Sequence, residues 1–357
     1  MSDKLLDFAK LQAGPSNLIS DLDGIMVGNA HDAAAMTGVS VVVPEAPYVA
    51  SCSVPGGGPG TRETDALQPA NLVERVDAIC LSGGSVYGLD AASAVTAELG
   101  VQGRGFAMGA PPVVSPIVPA AVLFDIGKGG AKDWGDTPPY HRLGKQAFDA
   151  RAREFALGNS GAGFGAQAGQ LKGGLGSAST MLDDDVFVGA VLAVNPVGAV
   201  CDAQGTFWVQ HLALDHKGAL EFGRAGASAP QAGPSHPLTG SKLAGLAAGA
   251  NTTIGVVAVA ADLTPAEAQR VAIMAQDGLA RAIRPVHTPF DGDTIFVLAT
   301  GSQPLAREAE LRPLALTVLG AMAADCVARA IARAVWFADD MGFAPAYRSQ
   351  FPLSLIH

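Results

Sequence analysis

Asn251, Thr252 and Thr253 form a polar triplet at the start of an apolar run, 254–260, that is typical of a buried strand. If the bond between Asn251 and Thr252 breaks, Thr252 gains a free α-amine beside its own hydroxyl. One residue then carries both a nucleophile and a base. An unperturbed α-amine has a pKa near ~8, so it can accept a proton at neutral pH. The triplet therefore suggests self-cleavage followed by attack of Thr252 on an acyl group.

The triplet alone also has two ordinary interpretations. Asn-Thr-Thr fits the acceptor pattern for N-glycosylation, although nothing else in the chain suggests a secretory context. Asn and Thr are also common in turns and caps before regular elements. Self-cleavage is therefore a hypothesis that depends on the rest of the chain.

Composition restricts the class of protein. Of 357 residues, 49% are hydrophobic and 16% are charged, and the mean hydropathy is +0.28. These values favour a large buried sheet or large subunit interfaces, and they suit a homo-oligomer, either a dimer or a tetramer. The net charge is −10 and no basic run occurs, so we expect neither a nucleic-acid nor a membrane partner.

Targeting, redox and metal signals are weak. No apolar signal region follows the first four residues, and no uncharged run makes a convincing membrane span. The four cysteines lack CxxC spacing, and the seven histidines lack HExxH or paired spacing. We therefore expect a cytoplasmic protein with reduced thiols and with no metal and no cofactor.

Strands and helices alternate around the triplet. Strands are predicted at 39–44, 77–81, 186–194, 254–260 and 294–299, and a strand pair at 112–125. Helices are predicted at 85–99, 142–157, 264–283 and 313–335. Residues 224–250 are rich in Ala, Gly, Ser and Pro, and they read as a flexible linker that ends at the triplet. The order predicts an α/β protein built on a large, mostly buried sheet.

Two glycine-rich stretches resemble nucleotide-binding loops only superficially. The loop at 55–60 lacks the Gly-Lys-Ser/Thr of a phosphate loop, and we interpret it as a wall of a pocket. The stretch 161–166 matches a dinucleotide fingerprint, but it follows a predicted helix where such a fingerprint follows a strand. Neither stretch predicts a nucleotide cofactor.

Six short motifs occur in one order: PGTRETD at 59–65, GGSVYGL at 83–89, KGGLG at 172–176, NPVG at 195–198, NTTI at 251–254 and DGDT at 291–294. Together they resemble the DmpA/NylC family of self-processing hydrolases, over most of the chain. That family includes L-aminopeptidase/D-esterases, β-peptidyl aminopeptidases and nylon-oligomer hydrolases. The resemblance implies a single domain, 1–357, folded as a four-layer αββα sandwich of the DmpA/ornithine-acetyltransferase type. It also implies self-cleavage into 1–251 and 252–357, which stay together.

The resemblance also assigns roles. Thr252 matches the nucleophile, and Asn251 becomes the end of the larger chain. Asn195 matches an asparagine whose side chain stabilises the oxyanion, and Lys172 matches the lysine of a Lys-Gly-Gly motif. We take Thr253 as a supporting hydroxyl. Taken singly, each of these residues is also common in turns, loops or strands.

Two departures bear on the substrate. Asp291 and Asp293 match the acidic pair of the nylon-oligomer type, where the aminopeptidase branch has Ser in the first position. They could orient the α-ammonium and Lys172. Residues 118–125 also lack the glutamate with which those aminopeptidases hold a substrate amine. Both departures favour hydrolysis of small peptides or ω-amino-acid oligomers.

Three other functions stay open. The first is L-aminopeptidase/D-esterase or β-peptidyl aminopeptidase activity, within the same family. The second is acyl transfer of the ornithine-acetyltransferase type, which also uses a threonine exposed by self-cleavage. The third is an uncleaved binding protein in which Asn251 and Thr252 form only a turn.

Overall fold

A computed structural model describes residues 11–109, 113–182, 186–223, 235–245, 251–306 and 308–352. The strands are β1 (Gln12–Ala13), β2 (Ile25–Asp32), β3 (Thr37–Pro44), β4 (Tyr48–Ser53), β5 (Gly60–Arg62), β6 (Arg75–Val76), β7 (Ile79–Ser82), β8 (Ala120–Val122), β9 (Gln167–Ala168), β10 (Leu171–Lys172), β11 (Gly174–Leu182), β12 (Val186–Asn195), β13 (Asp215–His216), β14 (Ala219–Leu220), β15 (Thr252–Val259) and β16 (Thr294–Ala299). The helices are α1 (Asp90–Val101), α2 (Tyr140–Asp149), α3 (Pro265–Ala282), α4 (Arg312–Trp336) and α5 (Tyr347–Gln350).

Two large sheets form the centre of the molecule. One has seven strands in the order β1-β11-β12-β15-β16-β4-β6, and the other has five in the order β2-β3-β7-β8-β5. β15 lies antiparallel to β12 and parallel to β16. The first residue of β15, Thr252, therefore lies opposite the last residue of β12, Asn195.

The two sheets are stacked, and helices cover their outer faces. Along β15, Ile254 and Val256 pack between the sheets, whereas Val257 and Val259 face α3 and α4. The five-stranded sheet carries α1 and α2 on its outer face. A sheet buried on both faces needs apolar residues at every position, which explains the continuous apolar runs in the sequence. The four-layer αββα sandwich expected from the sequence is confirmed.

Helix α4 crosses the seven-stranded sheet at close range. A Cβ on Gly176 of β11 would lie 2.0 Å from the carbonyl oxygen of Ala330. In α4, Arg329 Nε lies 2.5 Å from Glu221 Oε1, and Arg333 Nη1 lies 3.4 Å from Glu221 Oε2; all three residues are buried. The helix is thus fixed by close backbone packing and by a buried ion-pair cluster.

The same helix bears on the expectation that no segment crosses a membrane. Within the described ranges, 309–336 is the one helix long and apolar enough to span a membrane, with a mean hydropathy of 1.7 over its most apolar window. However, 67% of that window is buried inside the protein. Burial of this extent is typical of a core helix.

Some predicted elements differ from the structure. Within the described part of the predicted strand pair at 112–125, the only strand is β8, Ala120–Val122, because Pro116 and Pro119 cannot donate backbone hydrogen bonds. The predicted helix at 142–157 is wrong beyond Asp149, because Ala152 leaves the helix to exchange two backbone hydrogen bonds with Val27 of β2. The predicted linker at 224–250 falls largely outside the described residues. Its described part, 235–245, contains a single 3-10 turn, Lys242–Gly245.

Candidate active site

The candidate nucleophile lies at the buried end of β15. Thr252 and Asn251 are both buried, and Asn251 forms a parallel bridge with Asp291 in the loop before β16. Sheet register places Asn195 directly across from Thr252. Two of the sequence-predicted site residues, Asn195 and Asp291, therefore meet Asn251–Thr252 through pairing within one sheet.

The carbonyl of Asn251 is held by two donors. The Gly292 amide donates to Asn251 O at 2.9 Å, and the Thr252 hydroxyl also donates to this oxygen. The Gly292 nitrogen lies 3.2 Å from Thr252 Oγ1 as well. A Cβ at position 292 would lie 2.8 Å from both Thr252 Oγ1 and Gly58 O, so the close approach requires glycine. A donor aimed at this carbonyl is suited to stabilise negative charge on its oxygen.

Asp293 supports the main chain next to the nucleophile. Its buried Oδ1 accepts a hydrogen bond from the Thr253 amide at 2.7 Å. Its Oδ2 lies 2.8 Å from His287 Nδ1 and accepts from the His287 amide at 3.2 Å. The carboxylate thus fixes the start of β15 and orients a histidine ring near the site.

Asp291 supports the turn after β12. It accepts from the Val197 amide at 3.0 Å and from the Thr288 hydroxyl at 2.6 Å. Burial, followed by the negative charge of Asp293, raises the pKa of Asp291 above its usual range. The described hydrogen bonds of the two aspartates do not include Lys172, which the sequence reading expected them to orient.

Lys172 is fully buried. Its Nζ donates to Gly173 O at 2.8 Å and to Gly163 O at 3.1 Å. Burial lowers the pKa of Lys172 to about 7, against the opposing attraction of the Asp125 carboxylate. A substantial fraction of Lys172 is therefore uncharged near neutral pH, when the amine can accept a proton.

Both ends of the Asn195 side-chain amide form hydrogen bonds. Its Nδ2 donates to Phe124 O at 3.1 Å, and its Oδ1 accepts from the Gln167 amide at 3.0 Å and from Lys242 Nζ at 3.1 Å. The amide group expected to face an oxyanion thus points to a main-chain carbonyl in the uncleaved chain. The Thr253 hydroxyl, expected to support the site, is buried and has no hydrogen-bond partner within the described chain.

Three residues contact the site although the sequence predicted no role for them: Gly292, His287 and Lys242. Gly292 stands between the two aspartates of the DGDT motif, and this spacing was the available signal. His287 lies six residues before Asp293, in a segment with no recognisable motif. Lys242 lies in a stretch whose composition indicated only a linker, so nothing in its surroundings marked it.

The described residues hold no group of three or more His, Cys, Asp or Glu side chains that could bind a metal ion. The four cysteines are buried and free. Burial raises the pKa of the Cys52 thiol to about 11 and that of Cys80 to about 12. These thiols are therefore poor nucleophiles at neutral pH.

Comparison with known proteins identifies the family. The profile of peptidase family S58 matches residues 17–346, which is most of the chain. The chain belongs to peptidase family S58. The resemblance seen in the six motifs is thereby confirmed, and so is the expectation of a peptidase that hydrolyses amide bonds.

Relatives of this S58 peptidase fall into two groups. It is 44% identical to an uncharacterized aminopeptidase of Mycobacterium bovis over 352 residues, covering 94% of this chain and 98% of the relative. It is 29% identical to a 6-aminohexanoate-oligomer endohydrolase of a Kocuria species over 307 residues, covering 80% of this chain and 76% of the relative.

The fold of the S58 peptidase also has a solved counterpart. The L-aminopeptidase D-Ala-esterase/amidase of Ochrobactrum anthropi superimposes with a TM-score of 0.63 and 19% identity, over 96% of this chain and 93% of that one. That structure is described as a variant of the Ntn hydrolase fold. The S58 peptidase therefore has an N-terminal nucleophile hydrolase fold.

Proposed function

We propose that this S58 peptidase cleaves itself between Asn251 and Thr252 and then uses Thr252 as an N-terminal nucleophile. One observation carries the proposal. The Thr252 hydroxyl lies against the carbonyl of the preceding residue, and the oxygen of that carbonyl already accepts a hydrogen bond from the Gly292 amide at 2.9 Å. A nucleophile and an oxyanion donor are thus assembled around one peptide bond.

In the first reaction, Thr252 Oγ bonds to the Asn251 carbonyl carbon. The bond from that carbon to the Thr252 nitrogen breaks, and the nitrogen takes the hydroxyl proton. The product is an ester, which water cleaves to leave a carboxylate at Asn251 and a free amine at Thr252. The Gly292 amide stabilises the oxyanion, and one such donor contributes about 3–4 kcal/mol.

In the second reaction, the same hydroxyl attacks a substrate amide. The α-amine of Thr252 takes the hydroxyl proton and then gives it to the leaving amine. Asp293 holds the adjacent Thr253 amide, and Lys172 is an additional buried base. Asn195 acts as an oxyanion donor after it exchanges its bond to Phe124 O for one to the substrate. Water then releases the acyl group.

For the substrate, we propose small peptides or ω-amino-acid oligomers. The acidic pair Asp291 and Asp293 and the 29% identical endohydrolase support oligoamides, whereas the 44% identical aminopeptidase supports peptides with a free amine. Asp125 is the acid in the segment where aminopeptidases hold such an amine. It is buried and accepts from Thr37 Oγ1 at 2.7 Å and from the Gly84 amide at 2.8 Å, so it does not face a substrate.

The test of self-cleavage is intact mass under denaturing conditions, for the wild-type chain and for Thr252→Ala. Dividing 36.0 kDa in proportion to the two segments gives wild-type species of about 25 and 11 kDa, the smaller beginning with Thr. The Thr252→Ala chain is expected to stay intact. A single intact wild-type species would contradict the proposed self-cleavage.

Product analysis separates the remaining functions. Peptides with free and with blocked amino termini distinguish an aminopeptidase from an oligoamide hydrolase, because only the former requires the free amine. Adding a free amine as acceptor tests acyl transfer of the ornithine-acetyltransferase type. Acylation of the added amine in preference to hydrolysis would contradict the hydrolase proposal.

We also propose a cytoplasmic homo-oligomer, a dimer or tetramer of cleaved protomers, without nucleic-acid or membrane partners. Leu72 and Phe106 support this proposal, because both are exposed and both line a surface groove of about 350 Å³. The acidic net charge of −10 opposes binding to anionic polymers. Light scattering on the wild-type protein and on Leu72→Asp measures the assembly. An unchanged mass in Leu72→Asp would place the interface elsewhere.

A further inference from the structure

Lys242 contacts both sides of the candidate site from a segment outside its motifs. Its Nζ lies 2.5 Å from Asn251 Oδ1, 3.1 Å from Asn195 Oδ1 and 3.2 Å from Asn195 O. All three atoms are acceptors, which matches the three N–H groups of a lysine ammonium. The Lys242 amide also donates to Val197 O at 3.0 Å, so the backbone of this turn is itself anchored beside the end of β12.

The surroundings of this amino group differ from those of a surface lysine. The stem of Lys242 is partly exposed, but its amino end is enclosed by the site. Burial and the positive charges of Lys128 and Lys172 hold the pKa of Lys242 well below the usual lysine range, while Asp291 opposes that shift. Burying an amino group is costly unless hydrogen bonds compensate, so the contacts of Lys242 with Asn251 and Asn195 are specific ones.

We propose that Lys242 is a positioning residue for self-cleavage. It ties the Asn251 side chain to Asn195, and so keeps the Asn251 carbonyl carbon in front of the Thr252 hydroxyl. This inference rests on the proposed self-cleavage. It adds a group that acts only through Asn251 and does not itself touch the bond that breaks.

Other contacts of Asn251 reach a different part of the fold from the one that Lys242 reaches. The Asn251 amide donates to Phe290 O at 2.8 Å, and the Asn251 carbonyl accepts from Gly292. Both of these bonds reach the loop before β16. Lys242 supplies a tie in another direction, to β12, which limits rotation of the residue whose carbonyl is attacked. Correct orientation of reacting groups is a large part of catalytic rate.

The decisive experiment measures the rate of precursor cleavage in a double-mutant cycle. Lys242→Met removes the nitrogen and keeps the chain length, and Asn251→Leu removes the acceptor at nearly constant volume. Each single substitution is expected to slow cleavage about 10- to 100-fold, the range for leaving a buried polar group without its hydrogen-bond partner. If Lys242 acts through Asn251, the double variant is no slower than the slower single variant, within about threefold.

Controls separate this role from a general effect on folding. Lys145→Met is a matched change at a half-exposed lysine of α2 and is expected to cleave at the wild-type rate. Lys242→Arg keeps charged donors and is expected to cleave faster than Lys242→Met. The near-ultraviolet circular dichroism of each uncleaved variant is expected to match that of Thr252→Ala.

Two results would overturn the inference while leaving self-cleavage intact. One is cleavage of the Lys242→Met precursor at the wild-type rate. The other is rate losses that multiply in the double variant, which would mean that Lys242 does not act through Asn251. Cleavage by Thr252→Ala is a different outcome, because it would remove the proposed nucleophile and with it the basis for both proposals.

Discussion

Replacing Lys172 by Met tests the cost of a buried amine in this fold. The folded pKa of Lys172 is about 7, compared with the ordinary lysine value of 10.5. Between these two values the unfolded chain holds a proton that the folded chain has released, so stability rises with pH. The cost of burying the charge is therefore greatest below the folded pKa and disappears as pH rises past the unfolded one.

The magnitude follows from the same two values. The buried charge destabilises the folded state by roughly 5 kcal/mol at about pH 6 and by only about 1–2 kcal/mol at about pH 9.5. Lys172→Met removes this cost, but it also removes the two hydrogen bonds to Gly163 O and Gly173 O, whose loss costs about 1–3 kcal/mol each. The second loss does not depend on pH. The change in unfolding free energy should thus be more favourable at the lower pH by about 3 kcal/mol.

Denaturant unfolding at the two pH values measures this difference. The Thr252→Ala background keeps the polypeptide in one piece, so the two chains of a cleaved protein do not complicate the equilibrium. Lys145→Met is the matched control, and its effect is expected to be the same at both pH values because this lysine is exposed. If Lys172→Met changes stability equally at both pH values, the lysine is charged in the folded protein and our reasoning about its burial is wrong.

Two further predictions concern the site and its support. Gly292→Ala places a Cβ 2.8 Å from Thr252 Oγ1 and so displaces the amide donor. Precursor cleavage, followed by intact mass, should become at least about 100-fold slower. Gly342→Ala is the control, because a Cβ at that position meets open space and should leave the rate unchanged. If Gly292→Ala cleaves at the wild-type rate, the amide of residue 292 is not the oxyanion donor. Arg329→Met leaves Glu221 buried without its closest cation and should lower the unfolding free energy by about 3–5 kcal/mol in denaturant titrations. A loss below about 1 kcal/mol would mean that Arg333 alone satisfies Glu221.

The pattern of apolar residues in the sequence was sufficient to predict several strands and helices. The predicted strand at 294–299 matches β16, and the predicted helix at 264–283 matches α3, Pro265–Ala282. By contrast, the sequence reading identified no strand at Gly174–Leu182. This strand is rich in Gly, Ser and Ala because α4 lies so close that larger side chains do not fit: a Cβ on Gly174 would lie 2.5 Å from Ala334 O. Such a strand has no hydrophobic pattern of its own.

The site residues also divide into those that the sequence could predict and those that it could not. Thr252, Asn195, Asp291 and Asp293 were recognised because each lies in a short motif, and the sheet brings all four together. Their roles remain predictions. The contacts of Lys172 and Lys242 could not be read in this way, because each depends on main-chain carbonyls or side chains brought near by tertiary folding.

The order of strands has a consequence for how the two halves of a cleaved molecule relate. β15 and β16 occupy the middle of the seven-stranded sheet, with β12 on one side and β4 on the other. Both neighbours precede Thr252 in the chain, so severing the backbone leaves a continuous ladder of hydrogen bonds through the sheet. A fragment of residues 1–251 made alone would expose the edges of β12 and β4, and such edges promote aggregation. If the proposed cleavage occurs, its product would be a heterodimer, and folding as one polypeptide before cleavage would keep these edges paired.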